Sequence, residues 1–92
     1  MENRRVRLVV EGRVQGVWYR DSARRKASEL GLTGWVKNRR EGNVEILAEG
    51  AMDNITELKN WCYDGPPGAI VTDVKETIEE FKGEFLSFDI VF

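Results

Sequence analysis

The amino-acid sequence predicts an α+β fold: one antiparallel sheet of four strands with two helices on one of its faces. Three observations predict it. Apolar residues alternate at a period of two in several short stretches, the pattern of strands with one buried face. Two intervening stretches place apolar residues at helical spacing. The elements fall in the order βαββαβ, and right-handed crossovers in two such units interleave the strands into a single antiparallel sheet. The chain has 92 residues, and a domain of this size buries only roughly two-thirds of its unfolded surface. One domain over residues 1–92, with a sheet covered on one face, is what that length supports.

Each element has its own local cause. In RVRLVVE (5–11), Val6, Leu8 and Val10 alternate with polar neighbours, which predicts the first strand. GRVQGVWYR (12–20) then leads into DSARRKASELG, where Ala23, Ala27 and Leu30 lie on one helical face and Arg24, Arg25, Lys26 and Glu29 on the other. Gly31 followed by Leu32 matches a helix C-terminal glycine with its hydrophobic contact. GWVKN and NVEILAEG read as two strands, and Glu41-Gly42 between them suits a tight hairpin. The second helix lies in AMDNITELKNWCYDGPPG. Its apolar stripe is Ile55, Leu58, Trp61 and Cys62, with Asp53 or Asn54 as N-cap and Asn54/Glu57 as a capping box. The Gly65-Pro66-Pro67-Gly68 run stops it. Residues 70–80 alternate around Ile70, Thr72 and Val74 and read as an edge strand. FLSFDIVF supplies a last strand through Phe85 or Leu86, Phe88, Ile90 and Phe92.

GRVQGVWYR carries the first functional question. A loop between a strand and a helix N-terminus exposes backbone N–H groups, and the positive end of the helix dipole favours an anion there. Gly12 and Gly16 let the backbone bend and approach a ligand with no Cβ in the way. Arg20 sits at the helix start, where a cation is mildly unfavourable, so an anionic partner would account for it. Its guanidinium meets a phosphate with two parallel N–H bonds. The same residues also fit a plain connection with a solvated arginine. The stretch lacks the GK[ST] of a nucleotide-binding loop.

Composition removes several chemistries. There is no histidine and one cysteine, Cys62, which excludes Ser-His-Asp schemes and an intrachain disulfide and argues against a zinc site. No apolar run is long enough to span a bilayer and no leader opens the chain, so the expected location is the cytoplasm. Residues 1–40 hold eleven basic and four acidic residues (+7). Residues 41–92 hold three and twelve (−9), and together they give the net −2. The basic half either provides a field for anions or pairs with the acidic half across the fold.

GRVQGVWYR resembles the signature of the acylphosphatase family: glycine-x-valine-glutamine-glycine-valine-x-aromatic-arginine. GLTGWVKN resembles that family's second segment, which ends in an asparagine. EGNVEILAEG and WCYDGPPGA are similar to the segments next along the chain in bacterial and archaeal members. The resemblance covers nearly the whole chain in the expected order. It implies a ferredoxin-like α/β sandwich and hydrolysis of acyl phosphates to a carboxylate and inorganic phosphate, with neither metal nor cofactor. Arg20 matches the phosphate-binding arginine. The backbone amides of Val14, Gln15, Gly16, Val17, Trp18, Tyr19 and Arg20 match the phosphate cradle, and Asn38 matches the asparagine that orients the attacking water. Tyr19 stands where phenylalanine is common, and Trp18 fills a variable position whose role in substrate choice the sequence leaves open. The implied partners are a small-molecule acyl phosphate and inorganic phosphate as product and competitive inhibitor. No nucleic acid and no membrane are implied, and nothing demands more than a monomer. Without the resemblance, Asn38 reads first as a turn-closing asparagine at a strand end.

The chemistry fits these residue types. An acyl phosphate carries a good leaving group, so the missing histidines are no obstacle. Charge on the phosphoryl oxygens and in-line placement of water are what need support, and N–H donors, one guanidinium and one amide supply them. Trp35, Trp61 and Phe88 read as core. A base-stacking platform is the alternative, but the RNA-binding signature that would accompany it is absent. Cys62 reads as a small packed hydrophobe. The competing functional class is a non-catalytic module of the same fold that binds an anion or a partner, as in the acylphosphatase-like domains of larger maturation proteins.

Overall fold

The computed structural model describes residues 2–92. The elements run β1 (Asn3–Arg13), α1 (Tyr19–Glu29), β2 (Thr33–Asn38), β3 (Val44–Ala51), α2 (Met52–Asp64), β4 (Ile70–Glu79) and β5 (Phe88–Ile90). The βαββαβ order of the first six elements and the layer of two helices on a sheet are as the sequence predicts. The sheet has five strands, however, in the order β4-β1-β3-β2-β5. The first four pair antiparallel, and β5 adds to the free edge of β2 in parallel. The expected last strand, residues 85–92, shrinks to Phe88–Ile90.

The core lies between the sheet and the helices. Val6, Leu8 and Val10 of β1 stand opposite Ala48, Ile46 and Val44 of β3, and all six are buried. Ala23 and Ala27 of α1 and Ile55, Leu58 and Cys62 of α2 cover them. Burial pushes the Cys62 thiol up to about 12, so it behaves as the small hydrophobe expected of it. The Tyr19 hydroxyl donates to the Cys62 carbonyl at 2.8 Å. Burial holds that hydroxyl well above its ordinary pKa and therefore neutral.

Local signals succeeded where the partner was local. α1 ends with Leu32 N–H bonded to Ala27 O and Gly31 N–H to Ser28 O, the double bond of a glycine-terminated helix, and Leu32 is buried. The Asn54/Glu57 capping box does not form. The helix starts earlier, at Met52, directly from an extended Ala51 with no side-chain cap. Met52 N–H instead donates to the Glu2 carbonyl at 3.2 Å, so the neighbouring chain segment supplies an acceptor that a cap would otherwise provide.

β4 is an edge strand, as predicted, but its alternation breaks. Val10 pairs with Val74 and Glu11 with Asp73, whereas Gly12 pairs with Val71, so Thr72 is the extra residue of a β-bulge. Val71 and Val74 therefore both face the core, and Ile70 is exposed. Gly12, expected to admit a ligand, serves this bulge: a Cβ there would lie 2.1 Å from the Ile70 carbonyl oxygen.

The outer face of the sheet resolves the charge asymmetry. Arg5 is only 7% exposed and Glu49 only 1%. Arg5 meets Glu49 at 3.4 Å, Glu79 at 3.2 Å and Glu84 at 2.6 Å. Arg7 meets Glu79 at 2.7 Å and also Glu45. The hydrogen bonds they donate, first that of Arg5 to Glu84 and that of Arg7 to Glu79, hold both guanidinium groups above their ordinary pKa. Lys82 and Gly83 N–H groups donate to Glu49 at 2.8 and 3.1 Å, which straps the segment after β4 across this face. Trp35 is not core: it is half-buried here, with the Arg7 and Lys37 cations over its ring at 5.9 and 5.2 Å. Much of the basic half thus pairs with the acidic half.

Candidate functional site

The loop from β1 to α1 reverses direction through two left-handed residues, Gly16 (φ 75) and Trp18 (φ 66). At Gly16 a Cβ would meet nothing within 4 Å, so the positive φ alone favours glycine there. Trp18 immediately precedes α1 and caps it without a side-chain bond. Among the described residues, no protein acceptor takes the backbone N–H groups of Gly16 to Arg20. They belong to the loop and first turn at the positive end of α1, where free N–H donors suit an anion.

Two side chains and a carboxylate complete the surroundings. Arg20 lies in the first turn of α1 and is half-buried. Among the described residues no carboxylate pairs with it; the adjacent Asp21 turns to Arg24 and Arg25 at 3.1 and 3.2 Å. The Arg20 guanidinium carbon instead lies 5.3 Å from the centre of the Phe92 ring. Asn38 ends β2, and its Oδ1 is buried with no hydrogen-bond partner among the described residues. A buried acceptor left unbonded is costly, so such an atom in a pocket wall marks a place for a donor.

A pocket of about 550 Å³ joins them, lined by Val14, Gly16, Trp18, Tyr19, Arg20, Asp21, Asn38, Ile90 and Phe92. Of the residues nominated from sequence, Val14, Gly16, Trp18, Tyr19, Arg20 and Asn38 come together here. Gln15 and Val17 are not among the lining residues. The Gln15 amide turns away to bond the β2–β3 hairpin through the carbonyls of Arg39 and Asn43, and Val17 packs on the core. Ile90 and Phe92 were not foreseen as site residues. Their signal was the alternation Phe88, Ile90, Phe92, which marks one face of the tail but not where that tail docks. Among the described residues, no three His, Cys, Asp or Glu side chains converge as a metal site would require. Among the described residues, no helix is long and apolar enough to cross a membrane.

The chain as a whole is similar to known proteins. The family model described as Acylphosphatase matches residues 6–90. An acylphosphatase of Methylococcus capsulatus is 52% identical over 88 residues, which cover 96% of each chain. The crystal structure of acylphosphatase from Bacillus subtilis superposes with a TM-score of 0.93 at 38% identity, over 97% of this chain and 99% of that one. The structure of full-length HypF in the phosphate- and nucleotide-bound form matches with a TM-score of 0.90 at 25% identity, over 99% of this chain but 12% of that one.

Proposed function

This chain belongs to the acylphosphatase family, and from that premise we propose that it hydrolyses acyl phosphates to a carboxylate and inorganic phosphate. The observation that carries the mechanism is the pairing, in one pocket, of Arg20 with the unbonded Oδ1 of Asn38. The N–H groups of the loop hold the phosphoryl oxygens, and Arg20 adds a fixed positive charge with two donors. Asn38 Oδ1 accepts a hydrogen bond from a water and aims its lone pair at phosphorus.

The water oxygen bonds to phosphorus as the bond from phosphorus to the acyl oxygen breaks. The bonding pair leaves with the acyl group as a carboxylate. The protons of the water remain on the released phosphate, so RCOOPO₃²⁻ and H₂O give RCOO⁻ and H₂PO₄⁻. A carboxylate is a weak base and departs without a general acid, which suits a site free of histidine. The donors and the guanidinium supply the positive field a metal would otherwise provide, so the reaction needs no metal. The steps call on Arg20, Asn38 and the loop N–H groups alone, so the mechanism as proposed asks for no residue of a second chain. Inorganic phosphate shares the recognised group and competes for the loop.

A second reading, an anion-binding module without turnover, is favoured by the match to a segment of a much larger chain. Hydrolysis of benzoyl phosphate in excess EDTA, with inorganic phosphate as competitor, separates the two. Metal-independent turnover inhibited by phosphate supports the enzyme. No metal-independent turnover supports the module, and turnover that phosphate leaves unaffected counts against the loop as the phosphoryl site.

A further inference from the structure

We propose that the pocket contains an acyl subsite, formed by Trp18, Ile90 and Phe92, that selects acyl phosphates with an aromatic or bulky apolar acyl group over acetyl-sized ones. The inference rests on the hydrolase reading and adds the substrate class. Three observations carry it. The first is size. A pocket of about 550 Å³ lies in the range, about 300–1,000 Å³, that holds whole small molecules, well beyond the needs of a phosphoryl group.

The second is Trp18. It is 81% exposed and held at φ 66, a conformation that is unfavourable for a bulky side chain. It packs on no part of the core and makes no capping bond. An asparagine or glycine would serve the turn better, and a buried position would serve the indole better. Presenting its apolar face beside the phosphoryl site serves a ligand.

The third is the placement of Ile90 and Phe92. β5 pairs with β2, Ile90 opposite Val36, which carries these two apolar residues to the wall that also holds Arg20 and Asn38. The Arg20 guanidinium carbon lies 5.3 Å from the centre of the Phe92 ring, close enough for a cation–π contact, and the ring itself is fully exposed and so open to a ligand. An acyl group extending from a phosphoryl so anchored meets the aromatic wall. An apolar group gains there by leaving water, and an aromatic one gains further by stacking.

The test compares kcat/KM for benzoyl phosphate and acetyl phosphate in the wild-type chain, in Trp18→Asn and in Phe92→Ala. Asparagine tolerates the left-handed backbone, and the ratio cancels any loss common to both substrates. The benzoyl-to-acetyl ratio should exceed one in the wild type and fall about tenfold in the variants. A fall in either variant supports the subsite and shows which side chain dominates it. An unchanged ratio in both, with the wild type active on both substrates, overturns the subsite and leaves the hydrolase reading standing. A wild-type chain that turns over neither substrate overturns both.

Discussion

The side-chain amide of Gln15 donates to the backbone carbonyl of Arg39 at 2.8 Å, and the same nitrogen reaches Asn43 O at 2.9 Å. Those carbonyls belong to the first and last residues of the turn between β2 and β3, and Arg39 adjoins Asn38. One side chain thus fixes the loop bearing the N–H donors against the strand end bearing Asn38.

Gln15→Ala should therefore lower kcat by up to about 10²-fold, because a displacement near 1 Å between reacting groups has that effect. Gln15→Glu should be worse than alanine, since it turns acceptors toward two carbonyls. Steady-state kinetics with benzoyl phosphate, beside a thermal melt, check this. A fully active Gln15→Glu would refute the positioning role.

Arg20→Gln and Asn38→Ala should each reduce kcat by about 10²–10³ or more while the fold survives. Neither side chain belongs to the buried core, so circular dichroism and melting temperature should stay near wild type. Arg20→Lys should not restore activity, since an ammonium lacks the planar fork. Turnover within tenfold of wild type in Arg20→Gln or Asn38→Ala would count against the assignment.

Glu49 is the anchor of the outer face, bonded to Arg5 and to the N–H groups of Lys82 and Gly83. Its removal leaves a buried guanidinium short of one carboxylate and two N–H groups without an acceptor. Glu49→Ala should cost about 3 kcal/mol, read from urea denaturation, and should expose Lys82 to trypsin in the native state. Glu49→Gln, which keeps an acceptor, should recover part of the loss. A cost under about 1 kcal/mol would show that Glu79 and Glu84 suffice for Arg5.

The same network sets the acid limit. Hydrogen bonding from Arg7, and then its charge and that of Arg5, holds the Glu79 carboxyl below its ordinary 4.5, against a smaller opposing effect of burial. The unfolded chain therefore binds a proton that the folded chain does not. Stability from this group is present above pH 4.5 and is lost as pH falls through the lower folded value. Glu79→Gln should flatten the dependence of unfolding free energy on pH below about 4.5 and lower stability at neutral pH. An unchanged acid slope would show that other carboxylates govern it.

The alternation of Val6, Leu8 and Val10, the helical spacing of Ala23 and Ala27, and the Gly31-Leu32 terminus were legible because their causes act within a few residues. Arg20 and Asn38 were legible through short stretches that resemble a known family, and both line one pocket. The Asn54/Glu57 box failed for the opposite reason: a distant carbonyl, Glu2 O, meets the start of α2.

The sequence by itself determined the order of the first six elements and the buried faces of β1, α1 and β3, since periodicity is a property of the local chain, and its likeness to a known family singled out Arg20 and Asn38. Only the tertiary structure decided that β5 joins β2, that Phe92 lies on Arg20, that Gln15 holds the hairpin and that Glu49 meets Arg5. Each of these joins segments far apart in the chain. Such pairings are chosen by complementary surfaces and by buried groups that must find partners, and no window of local sequence contains both halves of the choice.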